Sequence, residues 1–221
     1  MAELRRWAPC VFVIAGVNGA GRSSIAGAAL RLRGADYFDP DAASRKMRSA
    51  NPQLTLPEAN SAAWHQGKRL LERAIIERRD LAFETTLGGR TMAGLLERAL
   101  DAGLEVKVWY AGLASPELHV ERVRARVAAG GHPIPESDIR RRYDASRANL
   151  VGLLPKLTEL RLYDNSIDVP LQDGARPELQ LVLHLKRGAI VGPARLDRTP
   201  EWAKPIVAAA LRLPRSRSSS P

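Results

Sequence analysis

Short apolar runs alternate along this chain with longer stretches whose apolar residues return every three or four positions. CVFVIAG at 10–16, β-branched and closed by glycine, predicts a buried strand. In SSIAGAALRLR (23–33), Ile25, Ala28, Ala29 and Leu32 fall at helical spacing. ADYFDPD (35–41) predicts a short second strand ending in an acidic turn. A long helix follows over 56–79, with Trp64, Leu71 and Ile75 on its apolar side, and then a third strand, LAFE, at 81–84. Residues 90–103 predict a helix stopped by Gly103, and 104–112 a fourth strand. Ser115–Pro116 opens a helix that closes on two glycines near 131, and 135–154 forms another. LRLYDNS (160–166) and LQLVLHLK (179–186) complete the strands. PRSRSSSP (214–221) is basic, low in complexity and expected to be disordered.

Strands alternating with helices predict an α/β domain with a mostly parallel sheet flanked by helices. The domain is expected over 1–190, with a helical lid at about 115–150 and a C-terminal extension from 191 to 221. A hydrophobic share of 45% supports a substantial core. The single cysteine, Cys10, excludes an internal disulfide and suits a reducing compartment, so a cytoplasmic location is expected. No stretch approaches the ~20 apolar residues of a membrane span. The N-terminal arginines and apolar run imitate a signal peptide, yet the run is short and passes straight into a glycine loop, so it is read as a strand.

That loop is GVNGAGRSS (16–24), placed between the first strand and the first helix, where ligands of parallel sheets bind. It matches the phosphate-loop pattern G-x-x-x-x-G-K-[ST] except that Arg22 stands in the lysine position. Gly16, Gly19 and Gly21 can take positive φ, and the amides of the loop, Asn18 and Ala20 included, can cradle phosphate. Ser23 is the expected hydroxyl ligand of Mg²⁺, and Ser24 could cap the helix or touch the α-phosphate. Arg22 preserves charge but replaces a slim ammonium with a wide planar fork.

Net charge is +10, with 28 arginines, seven of them within 122–147. Coding bias explains part of this; handling of anions explains the local density.

With GVNGAGRSS, the segments YFDPD (37–41), FETTL (83–87), RVRARVAAGGHPIPESDIRRRY (122–143) and LYDNS (162–166) occur in an order that resembles the zeta-toxin family of P-loop kinases, specifically its compact chromosomal branch. The resemblance implies a P-loop kinase-like fold, ATP or GTP with Mg²⁺, and phosphoryl transfer to a sugar hydroxyl, best known for UDP-N-acetylglucosamine. Some members are toxins restrained by an antitoxin, which makes an antitoxin an expected partner. Asp41 matches the family's catalytic aspartate, and Glu84 its substrate-binding glutamate. Arg122 or Arg126, with one of Arg140–Arg142, match its lid arginines; Arg122, Arg126 and Arg140 are taken as the catalytic set.

The residues carry the same chemistry on their own terms. A kinase needs a carboxylate to orient the acceptor hydroxyl and take its proton. Asp41 is placed for this, with Asp39 as an alternative; both could instead be turn or cap residues. Glu84, at a strand end, could hold Mg²⁺ through water, grip substrate with Thr85 and Thr86, or merely cap the next helix. Lid arginines would neutralise the moving phosphate. His132 reads as structural in the lid turn, and Asn165 as an adenine contact or a strand-end residue. The competing class is a catalytically impaired P-loop protein, or a basic nucleic-acid binder. Nucleic acid is not expected, because the chain offers few aromatic residues for stacking.

Overall fold

The computed structural model describes residues 8–22, 25, 37–167 and 179–214. The helix expected over 23–33 lies outside them, apart from helical, buried Ile25, as do Ser23, Ser24 and the tail beyond Pro214.

Among the described residues a single sheet of seven strands runs in the order β2-β3-β1-β4-β5-β6-β7. Its strands are β1 (Cys10–Ala15), β2 (Tyr37–Phe38), β3 (Leu81–Thr85), β4 (Glu105–Gly112), β5 (Glu159–Asp164), β6 (Gln180–Lys186) and β7 (Ala189–Gly192). The first five in space pair in parallel, and β6 and β7 add to β5 antiparallel. β1 lies between β3 and β4, with Ala15 opposite both Thr85 and Tyr110. The carboxyl ends of the parallel strands therefore come level where the glycine loop leaves β1.

The period of two along β1 separates two apolar clusters. Val11, Val13 and Ala15 belong to the main core; Ile14 packs with Ile25, Trp109 and Ala111 on the other face.

The helices are α1 (Pro40–Ala50), α2 (Leu56–Glu77), α3 (Arg90–Asp101), α4 (Pro116–Ala128), α5 (Glu136–Leu153) and α6 (Lys204–Leu211), the last entered from a 3₁₀ turn at Glu201–Ala203. Thr55 and Glu58 form a reciprocal capping box on α2, and Ser115 caps α4. Among the described residues, no helix is long and apolar enough to cross a membrane.

Three local expectations change. The second strand ends at Phe38, with Tyr37–Phe38 its described residues, because Asp39 caps α1 and Pro40 begins it. That helix was not foreseen. β7 crosses residue 190, and beyond it Trp202, Ala203, Ile206 and Val207 are buried in the main core. The lid region packs on the body at both ends: Val120, Val123 and Ile139 cluster with Val17 of the loop, and Leu150 and Leu153 of α5 join the main core.

Candidate active site

The loop after β1 has the backbone its glycines require. Gly16, Gly19 and Gly21 adopt φ of +143°, +86° and +82°. A Cβ on Gly16 would sit 2.4 Å from the Ala111 carbonyl oxygen, and one on Gly19 would sit 2.9 Å from that of His119. The loop is therefore wedged between β4 and α4.

Three side chains hold it. Asn165 Nδ2 donates to the Ala20 carbonyl at 3.0 Å, so Asn165 serves the loop itself while its own amide closes on Gly112. His119 Nδ1–H donates to the Asn18 carbonyl at 2.8 Å. Burial lowers the His119 pKa to about 4, against the Asn18 bond, which favours the charged form, so the ring is neutral near pH 7. Arg142 Nη1 donates to Asn18 Oδ1 at 2.9 Å, and its Nη2 donates to Asp138 at 2.9 Å.

Arg22 is engaged by β3, the start of the loop and α1. Its Nη1 donates to the Gly16 carbonyl at 2.6 Å, its Nε to Glu84 Oε2 at 3.0 Å, and Nη2 lies 3.8 Å from Asp41 Oδ2. Glu84 is 5% exposed at the end of β3, and its other oxygen accepts from the Tyr37 hydroxyl. It does not cap α3, whose N-cap is Gly89 with no side-chain bond. Asp39 is occupied as the α1 cap, accepting from the Asp41 amide at 2.8 Å, whereas Asp41 stands in the first turn and faces the site. The Thr85 and Thr86 hydroxyls accept from the Leu87 and Gly88 amides, shaping the turn after β3.

These groups share a cavity of about 360 Å³, into which Asn18, Arg22, Asp41, Glu84, Thr85 and Thr86 converge. Its outer wall is α2, with Asn60 and Trp64; its roof is the lid turn at His132–Pro135 with Arg141 and Arg142. His132 Nε2 reaches to 3.8 Å from Asp41 Oδ1, and burial lowers the His132 pKa more than Asp41 raises it.

The lid arginines sort differently from the expectation. Arg140 is on the outer surface, held by Glu117 and Glu136 at 2.5 and 2.8 Å, and does not line the cavity. Its neighbours Arg141 and Arg142 do. Arg122 lies beside the loop, its Cβ 3.5 Å from the position a Gly19 Cβ would take. Arg126 sits on the far side of His132, donating to its carbonyl at 3.2 Å. The sequence reading did not single out Tyr37, Asn60 or Asp138. Tyr37 begins the YFDPD segment and was the one within reach.

Among the described residues no group of acidic, histidine or cysteine side chains is placed to hold a metal ion, and both Glu84 oxygens are engaged by Arg22 and Tyr37. Ser23, the expected ligand, lies outside the described residues.

Comparison with known proteins agrees with this architecture. A protein of Haemophilus influenzae described as uncharacterized is 30% identical over 132 residues, covering 58% of this chain and 88% of its own. Among solved structures, the AvrRxo1-ORF1:AvrRxo1-ORF2 complex with sulphate ions matches with a TM-score of 0.63 at 15% identity, over 97% of this chain and 67% of that one. The same complex with ATP gives 0.63 at 16% identity, over 98% and 67%. A chain from the PezAT chromosomal toxin-antitoxin system of Streptococcus pneumoniae gives 0.53 at 16%, over 72% and 69%. At such identities the likeness is one of fold, and that fold is P-loop kinase-like. The family model described as an AAA domain (AAA_33) matches residues 11–148, well over half of the chain, and the chain belongs to that family.

Proposed function

We propose that this protein is a P-loop small-molecule kinase that transfers the terminal phosphoryl group of ATP or GTP to a hydroxyl, with a UDP-N-acetyl sugar as the acceptor. The observation that carries the reading is Arg22. One guanidinium at the end of the phosphate loop bonds Glu84 and lies 3.8 Å from Asp41, and all three line one cavity.

In this reading the loop amides of 16–21 hold the β-phosphate. Asp41 takes the proton of the acceptor hydroxyl as its oxygen bonds to the γ-phosphorus; the bond from that phosphorus to the bridging oxygen breaks, and the nucleoside diphosphate leaves. Glu84, Thr85 and Thr86 orient the acceptor. Arg22 exchanges its carboxylates for phosphate oxygens, and Arg122, Arg141 and Arg142 offset the charge spread over the transferring group. Mg²⁺, held by Ser23 and the nucleotide, would shield phosphate charge. Nucleoside triphosphates place such work in the cytoplasm.

A second reading has its own observation. Arg22 is already satisfied by Gly16 and Glu84, so the loop could bind nucleotide without transferring phosphate. Against a nucleic-acid surface stands the pairing of the arginine-rich segment: Arg124, Arg140, Arg141, Arg142 and Arg147 each meet a carboxylate within it. The AvrRxo1 and PezAT structures, a two-protein complex and a toxin-antitoxin system by name, support a protein antitoxin as partner.

The test is incubation with labelled ATP or GTP, Mg²⁺ and a panel of UDP-sugars. Label on a UDP-N-acetyl sugar is the expected product. Nucleotide binding with no transfer to any acceptor would leave the second reading in its place.

A further inference from the structure

Beside the acceptor cavity lies another, of about 390 Å³, between α1, the start of α2 and the lid turn. It is lined by Arg45, Arg48 and Arg126, with Ser44 and the backbone of Gly130 and Gly131. It adjoins the acceptor cavity along Asp41, His132 and Pro133, which line both.

Its charges differ from those elsewhere on the lid. Arg124, Arg140, Arg141 and Arg142 meet carboxylates at 2.5–3.0 Å. Among the described residues, the three arginines of this cavity do not. Arg45 comes no nearer than 4.0 Å to Asp39, and that carboxylate is already committed to capping α1. Arg48 Nε makes a long 3.4 Å contact with the Leu54 carbonyl. Arg126 donates to the His132 carbonyl through Nη2, while its Nε is buried with no hydrogen-bond partner among the described residues. A buried guanidinium N–H left unmatched calls for an acceptor. Three guanidinium groups around one cavity match the oxygens of a phosphate or pyrophosphate, which take their forked bonds in pairs.

Resting on the kinase reading above, we infer that this cavity is the subsite for a phosphate or pyrophosphate group carried by the acceptor, remote from the hydroxyl that is phosphorylated. An acceptor with its hydroxyl at Asp41 passes His132 and places its anionic end among Arg45, Arg48 and Arg126. The acceptor is thereby a phosphorylated molecule, and a neutral sugar lacks half of its binding determinants. Arg126 grips acceptor here and does not act on the transferring phosphoryl group.

Amide chemical shifts of the labelled full-length protein test this without requiring turnover. With a non-hydrolysable ATP analogue and Mg²⁺ present to fill the loop, inorganic pyrophosphate is expected to shift the amides of Ser44, Gly130 and Gly131. A UDP-sugar is expected to shift those together with Thr86 and Gly89 of the acceptor cavity, and the free sugar to shift neither group at the same concentration. Arg45→Ala with Arg48→Ala, both on an exposed face of α1, should weaken pyrophosphate and UDP-sugar binding at least tenfold and leave affinity for the ATP analogue within twofold. The lysine pair at the same positions should restore most of the loss. Equal binding by parent and double variant overturns the proposal. So does a UDP-sugar that shifts Thr86 and Gly89 but not Gly130 and Gly131, or a cavity that takes free pyrophosphate while no UDP-sugar shifts Gly130 and Gly131, which would make it a free-anion site. Shifts in both cavities without phosphoryl transfer would instead sink the kinase reading and leave the subsite standing.

Discussion

Arg22 and Glu84, 62 residues apart in the chain, are joined by a 3.0 Å bond between side chains that are 11% and 6% exposed. The Arg22 fork makes a second bond to the Gly16 carbonyl and reaches towards Asp41, and Tyr37 completes Glu84 from the other side. A lysine has neither the Nε–H nor the second terminal nitrogen to hold three groups at once. The departure from the phosphate-loop pattern is thus built into the acceptor side of the site.

Removing one member of that pair exposes its worth. Arg22→Ala leaves Glu84 buried with only Tyr37, and breaking a buried pair costs about 3–5 kcal/mol. At about 2–4 °C per kcal/mol for a chain of this size, the Tm should fall by roughly 10 °C, and ATP affinity should fall with it. Arg22→Lys keeps the charge, should lose less stability, and should match or exceed the parent in phosphoryl transfer. Thermal unfolding and nucleotide titration of the three proteins check this; an alanine variant with parental Tm and tight ATP binding refutes both roles of Arg22.

Asp41→Asn keeps the shape of the acceptor cavity and removes the proton acceptor. Turnover should fall about 10²–10⁴-fold, the usual contribution of a general base, with nucleotide affinity nearly unchanged. Asp39→Asn is the control: it can still cap α1, because asparagine accepts the same amide. Turnover of Asp41→Asn within threefold of the parent would show that this carboxylate is not the base.

Much of this architecture was legible because apolar runs and glycine stops are local signals. The parallel strands and the loop follow from them. What stayed hidden was set by contacts distant in sequence. α1 carries few large apolar residues, so PDAASRKMRSA shows only a weak apolar face, and Asp39 with Pro40 marks its start. Arg140, Arg141 and Arg142 are consecutive, so successive side chains point about 100° apart on a helix; the sequence could not say which faces the cavity, and Arg140 faces out. The segment after 190 carries an apolar run, IVAAAL at 206–211, that the reading left unassigned, and its burial is completed by a distant contact: Trp202 stacks on Tyr110 with ring centroids 6.3 Å apart and bonds Asp164 at 3.1 Å.

That last packing gives a stability test far from the catalytic groups. A Cβ on Gly112 would fall 2.2 Å from Trp202 Cη2, inside a rigid indole that is 3% exposed. Gly112→Ala must therefore displace the 3₁₀ turn at 201–203 or the end of β4. Overpacking of this kind costs about 1–3 kcal/mol, so the Tm should fall by several degrees, with a change in tryptophan fluorescence. An unchanged Tm would mean that the C-terminal segment does not pack on β4 in solution.

Acid should destabilise the protein through His119 before the carboxylates titrate. Its pKa falls from 6.5 to about 4 on folding because burial disfavours the imidazolium. Between those values the unfolded chain binds a proton that the folded chain does not. The stabilisation is fully present above pH 6.5 and is lost as the pH drops towards 4. By pH 5 the loss from this group is about 2 kcal/mol, and the shift of His132 is in the same direction. The Tm should then drop by roughly 4–8 °C between pH 7.5 and pH 5. His119→Gln keeps an N–H donor for the Asn18 carbonyl but cannot titrate, so its Tm should depend less steeply on pH over that window. An identical slope in parent and variant would show that His119 takes up its proton without leaving the folded loop.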